Sequence, residues 1–316
     1  MNERNNCQCS KMIRRILFIV LISVSALVFL MYAVLRIADY KGKKIYNELE
    51  SVFYSHGFDG DILEDIVDEK DGISKVDVGS NASAETNNAD SSTDGYGNDT
   101  EMTEDNDSEY QAMMGAYRSE LLEMREGILA LAQINPDVYG WIRIPGTVID
   151  YPIVQGSDNE YYLNFSYTNE YLPAGSIFVD YRCEKIIDNN YNTIFFGHNA
   201  EQSGTMFHDL EKFLDEDFFA ETYIYIYTMD GVYIYEPFSI YTTRADYNYF
   251  RTEFDDVDDF DEFVREMRKN TNVRYDGNVS DVKNIITLST CTNGASNIRY
   301  ALHAKLIKKI MVTYND

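Results

Sequence analysis

The pattern of apolar and polar residues divides the chain into regions of different character. Residues 16–35 form an uncharged run of 20 residues that is almost entirely apolar. As an α-helix, this run would extend about 30 Å, the thickness of the hydrocarbon core of a bilayer. It is longer than the apolar region of a typical signal peptide, and no A-x-A cleavage site follows it. The pattern therefore predicts an uncleaved transmembrane anchor at 16–35, preceded by a short tail at 1–15.

The segments on either side of the predicted anchor indicate its orientation. Basic residues flank it on both sides, so the positive-inside rule alone is nearly balanced. The acidic character of the chain beyond the anchor favours a cytoplasmic tail at 1–15 and an extracellular C-terminal domain. The predicted location is therefore the cell membrane, with a single membrane pass. Cys7 and Cys9 would lie on the cytoplasmic side, as inert thiols or, alternatively, as palmitoylation sites.

Two segments separate the anchor from the region that is predicted to fold. Residues 36–70 include a short helical pattern and are predicted to form a stalk. Residues 71–108 contain few large apolar side chains and are rich in Asp, Glu, Ser, Asn and Gly. Such a segment cannot bury enough surface to offset the entropy of ordering it. We therefore predict an acidic, disordered linker at 71–108, which extends by self-repulsion and holds the following domain away from the membrane.

The pattern changes again at Glu109, where a folded domain at 109–316 is predicted to begin. Apolar residues at helical spacing predict a first helix of about 25 residues that ends near Pro136. Short runs rich in Val, Ile, Tyr, Phe and Thr follow, separated by turn residues. The eight runs lie at 139–144, 147–155, 175–181, 192–198, 223–229, 231–243, 284–291 and 298–307. They predict a mainly β domain that forms a closed or nearly closed barrel.

One further helix is predicted between the sixth and seventh strands. The segment FDDVDDFDEFVREMRK at 254–269 places its apolar residues on one face of a helix. Its first turn is rich in Asp, which favours the positive end of the helix dipole. We therefore expect an amphipathic helix that packs against the barrel through a single apolar stripe.

Charge and cysteine content narrow the classes of function. The formal net charge is −26, whereas nucleic-acid binding depends largely on Lys and Arg that neutralise phosphates. The charge therefore argues against a nucleic-acid partner. The four cysteines, at 7, 9, 183 and 291, form neither a zinc-like ligand set nor a dense disulfide pattern. No metal and no cofactor are expected, and any role for a cysteine must come from its local context.

Cys291 and Arg299 lie at the ends of two consecutive predicted strands. Cys291 ends the run NIITLSTC, and Arg299 begins the next run after a short loop. If the two strands pair as a hairpin, both residues lie at the same end of the sheet. Strand alternation places Thr287, Ser289 and Cys291 on one face, with Arg299 on the corresponding face of its own strand. The pattern therefore predicts a thiol beside a guanidinium.

A cysteine nucleophile needs a charge that favours its thiolate and a group that transfers protons. A nearby cation or imidazolium lowers the cost of the thiolate, and histidine can protonate a leaving amine near neutral pH. His198 directly follows an apolar strand, in NTIFFGHN, and so is expected at a strand end. One Cys, one His and one Arg occur together in many chains of this size, so their spacing alone is a weak signal.

The sequence around these residues resembles that of the sortases, a family of cysteine transpeptidases. TLSTC at 287–291, followed by Arg299 and preceded by FFGHN at 195–199, resembles the family signature in its His, Cys, Arg order. The segments NPDVYGWIRIPGTVIDYPIVQ at 135–155 and GSIFVDYR at 175–182 resemble class B sortases in particular. The resemblance implies a sortase-like, closed eight-stranded β-barrel, with an N-terminal helix and a helix inserted before the cysteine strand.

The resemblance also implies roles for the candidate residues. Cys291 would form a thioester with the Thr of a C-terminal sorting signal, and His198 would protonate the leaving amine and later deprotonate the incoming one. Arg299 would stabilise the oxyanion, and the backbone amide of Thr292 could add a second donor. Ser289 could contact the substrate. The partners would be surface-protein precursors of a Gram-positive type of cell and an amine of a peptidoglycan precursor or a pilin.

Two other functions remain open from the residues alone. One is a Cys/His cell-wall hydrolase, and the other is a catalytically idle, surface-displayed β-barrel that acts as a binding module. Three further residues are expected to have no catalytic role. Cys183 is expected to be a bystander thiol, His208 a packed or surface helix residue, and His303 an exposed histidine on a strand.

Overall fold

The computed structural model describes residues 2–58, 75–77, 104–280, 282–292 and 295–313. The helices are α1 (Asn2–Tyr54), α2 (Glu104–Ile134), α3 (Glu216–Glu221) and α4 (Val257–Lys269), with 3-10 helices at Tyr161–Leu163, Ile187–Asn189 and His208–Leu214. The strands are β1 (Lys75–Asp77), β2 (Val138–Arg143), β3 (Asp150–Val154), β4 (Ile177–Val179), β5 (Asn192–Phe196), β6 (Asn199–Ala200), β7 (Thr205–Met206), β8 (Ile224–Thr228), β9 (Gly231–Arg244), β10 (Ile285–Thr292) and β11 (Ala295–Thr313).

Eight of the strands close into a barrel. Their order is β11-β10-β5-β4-β3-β2-β8-β9, and β9 pairs again with β11 to complete the circle. The short β1 adds to the end of β11 in parallel, outside this circle. Each of the eight runs predicted from the sequence supplies one barrel strand. The prediction of a mainly β fold with a closed eight-stranded barrel is therefore confirmed.

The barrel strands are buried on both faces over much of their length. All residues of β4 and β8 are buried, as are the four central residues of β2. One face of such strands fills the barrel, and the other is covered by helices, so continuous apolar runs replace simple alternation. This double coverage explains why Tyr, Phe and Ile dominate the strand sequences.

Helix α4 is the predicted inserted helix, and it covers part of the barrel between β9 and β10. Its buried residues Phe260, Phe263, Val264 and Met267 lie on one helical face, as the amphipathic pattern requires. The side chain of Asp256 caps the helix by accepting a hydrogen bond from the backbone N–H of Asp259 at 2.9 Å. The stripe packs onto strands β9, β10 and β11.

Helix α1 combines an exposed apolar segment with a C-terminal end that packs on the domain. It is long and apolar enough to cross a membrane, and its apolar window is 0% buried. At its other end Tyr46, Leu49 and Phe53 are buried. The Phe53 ring stacks on Trp141 with a centroid distance of 4.2 Å. A Cβ atom at Gly127 of α2 would lie 2.5 Å from the Phe53 carbonyl oxygen, so this close helix contact needs glycine.

This packing changes the interpretation of the segments between the anchor and the barrel. Within the stalk predicted at 36–70, the side chains of Tyr46, Leu49, Phe53 and Phe58 are buried against the domain. Residues 59–70 and most of the predicted linker 71–108 lie outside the described residues, whereas 75–77 forms β1 and 104–108 belongs to α2. Since Phe58 is buried and α1 packs against α2, the chain on both sides of the linker belongs to one domain. Described residues that precede and follow the predicted linker are therefore in contact with each other.

Candidate active site

A cleft of about 240 Å³ opens beside the end of β5 and the paired residues Cys291 and Arg299 of β10 and β11. His198, Cys291 and Arg299 all line it, together with Ser289. We call this the Cys291 cleft. The structure thus brings together all three predicted catalytic residues and one of the two residues predicted to contact substrate. The fifth, Thr292, ends β10, and its side chain lies outside the described residues.

Strand pairing accounts for the position of the thiol and the guanidinium. In the antiparallel β10–β11 hairpin, Cys291 lies directly opposite Arg299, as the hairpin prediction requires. Opposite residues of an antiparallel pair have Cβ atoms only about 5 Å apart. The regular register ends at the next residue, where an irregularity occurs between Cys291 and Thr292. The nucleophile candidate therefore stands at the last regular position of its strand.

A second pairing brings the histidine to the same edge. Strands β5 and β10 are parallel, and their last paired residues are Phe196 and Ser289. His198 and Cys291 each lie two residues beyond this pair, so the two strands carry them to the same edge of the barrel. Gly197 allows the close packing at this point, because a Cβ atom there would lie 2.8 Å from the Phe207 ring. The imidazole and the thiol therefore share one cleft although 93 positions separate them in the sequence.

The hydrogen bond of His198 defines which ring nitrogen carries the proton of the neutral form. Its Nε2 atom lies 2.8 Å from the carbonyl oxygen of Leu163. Because a carbonyl oxygen only accepts, Nε2–H is the donor, and the neutral ring keeps Nδ1 for accepting a proton. This bond also fixes the ring relative to the 3-10 helix at Tyr161–Leu163. The arrangement suits an acid/base residue that must hold one orientation while its charge changes.

The two described cysteines differ in the way that a nucleophile and a bystander should. Cys291 is partly exposed in the cleft, whereas Cys183 is buried. Burial raises the pKa of the Cys183 thiol to about 12. Its Sγ lies 3.7 Å from the carbonyl oxygen of Asn192, among core residues. A buried thiol of this kind is a poor nucleophile near neutral pH, which agrees with the bystander role expected for Cys183.

Arg299 is partly buried beside the thiol and acts electrostatically on a neighbouring tyrosine. Its Nη1 donates to the carbonyl oxygen of Ile298 at 3.2 Å. Burial is the main cause that raises the pKa of Tyr249, the hydrogen bond with Ser289 lowers it, and the charges of Arg299 and Cys291 act on it in opposite directions. All of these groups therefore lie close enough to interact in the cleft.

Ser289 is engaged with a residue that the sequence pattern did not reveal. Its Oγ lies 2.7 Å from the hydroxyl oxygen of Tyr249, and both side chains are buried. Tyr249, Phe250, Asn159 and Leu163 complete much of the cleft wall. They come from loops and a 3-10 helix with no periodic pattern, so no sequence signal could have placed them at the site.

The environment of His303 differs from the sequence expectation. It is fully buried, with Nδ1 2.9 Å from Thr287 Oγ1 and Nε2 3.1 Å from the Tyr241 hydroxyl. Burial lowers its pKa to about 3. The prediction of an exposed strand histidine is wrong, because α4 covers this part of β9 and β11. His208 matches its expected position: it begins a 3-10 helix, with Nδ1 2.8 Å from Asn199 Oδ1.

Comparison with known proteins identifies the family of this barrel and cleft. A family model described as "Sortase domain" matches residues 142–307. Sortase B of Listeria monocytogenes is 39% identical over 192 residues, which are 59% of this chain and 76% of that protein. A mutant form of Clostridium perfringens sortase B superposes with a TM-score of 0.57 at 31% identity, covering 61% of this chain and 92% of that one. A Staphylococcus aureus sortase B–substrate complex gives a TM-score of 0.55 at 35% identity, covering 64% and 92%.

The fold, the cleft and these similarities define a cysteine transpeptidase. The chain belongs to the sortase family, and its relatives place it in class B. As a sortase it acts on sorting-signal substrates and amine acceptors and serves in cell-wall anchoring of proteins.

Proposed function

We propose that α1 anchors this chain in the cell membrane with the barrel outside, and that the enzyme cleaves a C-terminal sorting signal after Thr. It then transfers the surface protein to an amine of a peptidoglycan precursor or a pilin. The observation that carries the proposal is the pairing of β10 with a neighbouring strand on each of its two sides. This strand pairs with β11 on one side and with β5 on the other, so that a thiol, a guanidinium and an imidazole line one cleft.

In the first half-reaction, the Cys291 thiolate attacks the carbonyl carbon of the Thr. The new C–S bond forms as the peptide C–N bond breaks, and protonated His198 gives its proton to the leaving nitrogen. The negative charge on the tetrahedral oxygen is stabilised by Arg299, with the Thr292 backbone amide as a second donor. The result is a thioester on Cys291 and a neutral imidazole, which is ready to accept a proton from the amine.

A peptide assay tests the reaction and its rivals. Sorting-signal peptides of the NPxTN and LPxTG types are incubated with the full chain, with and without triglycine. We expect cleavage after Thr, a Cys291 adduct of the N-terminal fragment by mass spectrometry, and a triglycine conjugate when the amine is present. A peptidase that gives only the hydrolysed fragment at every amine concentration would favour the cell-wall hydrolase. Absence of both cleavage and adduct for all peptides would favour the binding module.

The proposed topology has its own test. The apolar segment of α1 is long enough to cross a bilayer, and a sortase that anchors surface proteins must meet them outside the membrane, so the barrel is expected there. An external protease applied to intact cells should digest the domain from Glu109 onward. Protection in intact cells, with digestion only after lysis, would contradict the extracellular location.

A further inference from the structure

His198 lines a second cavity as well as the Cys291 cleft. This cavity, of about 320 Å³, lies between α1 and the β6–β7 hairpin, and its size falls within the range of small-molecule sites. We call it the Asp39 cavity. Its lining is Leu35, Asp39, Pro173, Ala174, His198, Asn199, Ala200, Glu201, Gln202 and Ser203. Among the described residues, His198 is the one that lines both openings. The imidazole therefore stands where the two spaces meet.

The lining of the Asp39 cavity favours a positive charge. It contains the carboxylates of Asp39 and Glu201, and neither Lys nor Arg is among its lining residues. The Oδ2 atom of Asp39 is buried and forms no hydrogen bond with the described part of the chain. A buried carboxylate oxygen without a donor is costly and rare in native structures. An ammonium group would supply the missing donor and the opposite charge at once.

We infer that the Asp39 cavity is the site through which the ammonium group of the acceptor reaches the thioester. This inference rests on the proposed transpeptidase function and adds the recognition of the acceptor to it. The sorting signal would occupy the Cys291 cleft, and the acceptor would approach from the opposite side of His198. Asp39 is a positioning residue: it holds the ammonium beside the imidazole but takes no part in bond making.

The proton balance of the second half-reaction fits this arrangement. The acceptor enters the cavity as R–NH3⁺, pairs with Asp39, and then gives one proton to water in the cavity, which leaves a nucleophilic R–NH2. Its nitrogen attacks the thioester carbon, the C–S bond breaks, and the Cys291 thiolate leaves. The second proton passes from the nitrogen to neutral His198 as the amide forms. The enzyme returns to a thiolate beside an imidazolium, which is the pair that starts the next cycle.

Two nucleophiles of different charge test the inference with the full chain in detergent micelles. Triglycine is mainly an ammonium ion near neutral pH, whereas hydroxylamine is mainly uncharged and needs no anionic partner. We expect Asp39→Asn to raise the KM for triglycine at least about 10-fold, as hydrogen bonds between charged groups are strong. The rates of peptide hydrolysis and of hydroxamate formation should stay at the wild-type level, which also shows that the variant is folded.

Two further variants complete the experiment. Glu48→Gln removes the same charge from the same helix, but Glu48 is exposed and pairs with Lys44 at 3.7 Å, so the KM for triglycine should not change. Ala174→Leu fills the cavity without altering charge and should raise the KM for triglycine while leaving hydroxamate formation intact. The inference is overturned if Asp39→Asn and Ala174→Leu both keep the wild-type KM, or if they slow both nucleophiles equally. If the wild type cleaves none of the peptides, the result would instead contradict the proposed function itself.

Discussion

One face of the β10–β11 hairpin has two ends with very different surroundings. At the turn end Cys291 and Arg299 line an open cleft. Further along the same face, Thr287 and His303 are fully buried beneath α4. Both ends carry polar residues that could serve catalysis, yet only one end is accessible to substrate. The comparison shows that coverage by α4, rather than residue type, separates reactive groups from structural ones in this enzyme.

The largest expected effect comes from substituting each of the two described cysteines by Ala in turn. Cys291→Ala should reduce peptide cleavage at least ~1,000-fold, because no other thiol is among the described residues that line the cleft. Cys183→Ala should keep nearly full activity, since a buried thiol with a raised pKa cannot attack the substrate. Cleavage rates of the two variants on one sorting-signal peptide provide the measurement. Equal losses would mean that the open and covered positions do not differ as the structure indicates.

Arg299→Lys should have the next largest effect. An oxyanion partner depends on the planar fork of the guanidinium, which a flexible ammonium cannot reproduce, and loss of one such donor costs about 100-fold to 1,000-fold in the chemical step. A surface ion pair would be worth only about 0–1 kcal/mol and would tolerate Lys. We therefore expect a nearly unchanged Tm with most of the turnover lost. Wild-type turnover in the Lys variant would show that Arg299 has a structural role only.

The burial of His303 at the covered end should be detectable in the pH dependence of the free energy of unfolding. The pKa of His303 is lowered to about 3 in the folded state, against about 6.5 in an unfolded chain. Its contribution to stability is thus fully present above pH 6.5 and is lost as the pH falls towards 3. Between these pH values, His303 should contribute about 1.4 kcal/mol per pH unit to the slope of the unfolding free energy against pH.

The variant His303→Gln isolates that slope from the titration of the many carboxylates. Urea unfolding of the wild type and of the variant is compared at several pH values between about 4 and 7. The difference in unfolding free energy between the two proteins should shrink as the pH falls, because only the wild type must protonate the histidine on unfolding. A difference that does not change with pH would place His303 in contact with water and contradict its burial.

The smallest effect is expected from the substitution of Tyr249. Its hydroxyl group forms a hydrogen bond with Ser289 in the wall of the cleft. Tyr249→Phe removes that bond and should cost about 1 kcal/mol of stability, with a change of less than about tenfold in kcat/KM. Tyr247→Phe is the matched control, because its hydroxyl bonds Glu266 away from the cleft. An equal change in kcat/KM for both variants would exclude a specific effect of the cleft hydroxyl.

The parts of this site that could be predicted are those that depend on short-range pairing. Cys291 lies opposite Arg299 because a hairpin with a short turn leaves little choice of register. His198 joins them through the parallel β5–β10 pairing, which the pattern of residues did not specify. The resemblance to sortases supplied the role of His198 but not this pairing. The covering of His303 was missed because an amphipathic stripe shows that a helix packs, but not which strands it packs against.

The end of α1 shows a different limit of sequence reasoning. Tyr46, Leu49 and Phe53 have helical spacing, so an apolar face was present in the sequence. The predicted stalk did not use this face, because helical spacing shows that a face is apolar but not what it packs against. In the structure the face packs against the same domain that includes α2. Composition alone cannot distinguish a spacer between domains from a connection within one domain.

If α1 crosses the membrane as proposed, its continuity fixes the distance of the barrel from the bilayer. The apolar run ends at Leu35, and the domain packs against the same helix from Tyr46. With α1 in a membrane, the distance and the orientation of the barrel relative to the bilayer would therefore be restricted. Asp39 lies four residues beyond Leu35, or about 6 Å along the helix axis. His198 would then lie at the level of the lipid headgroups.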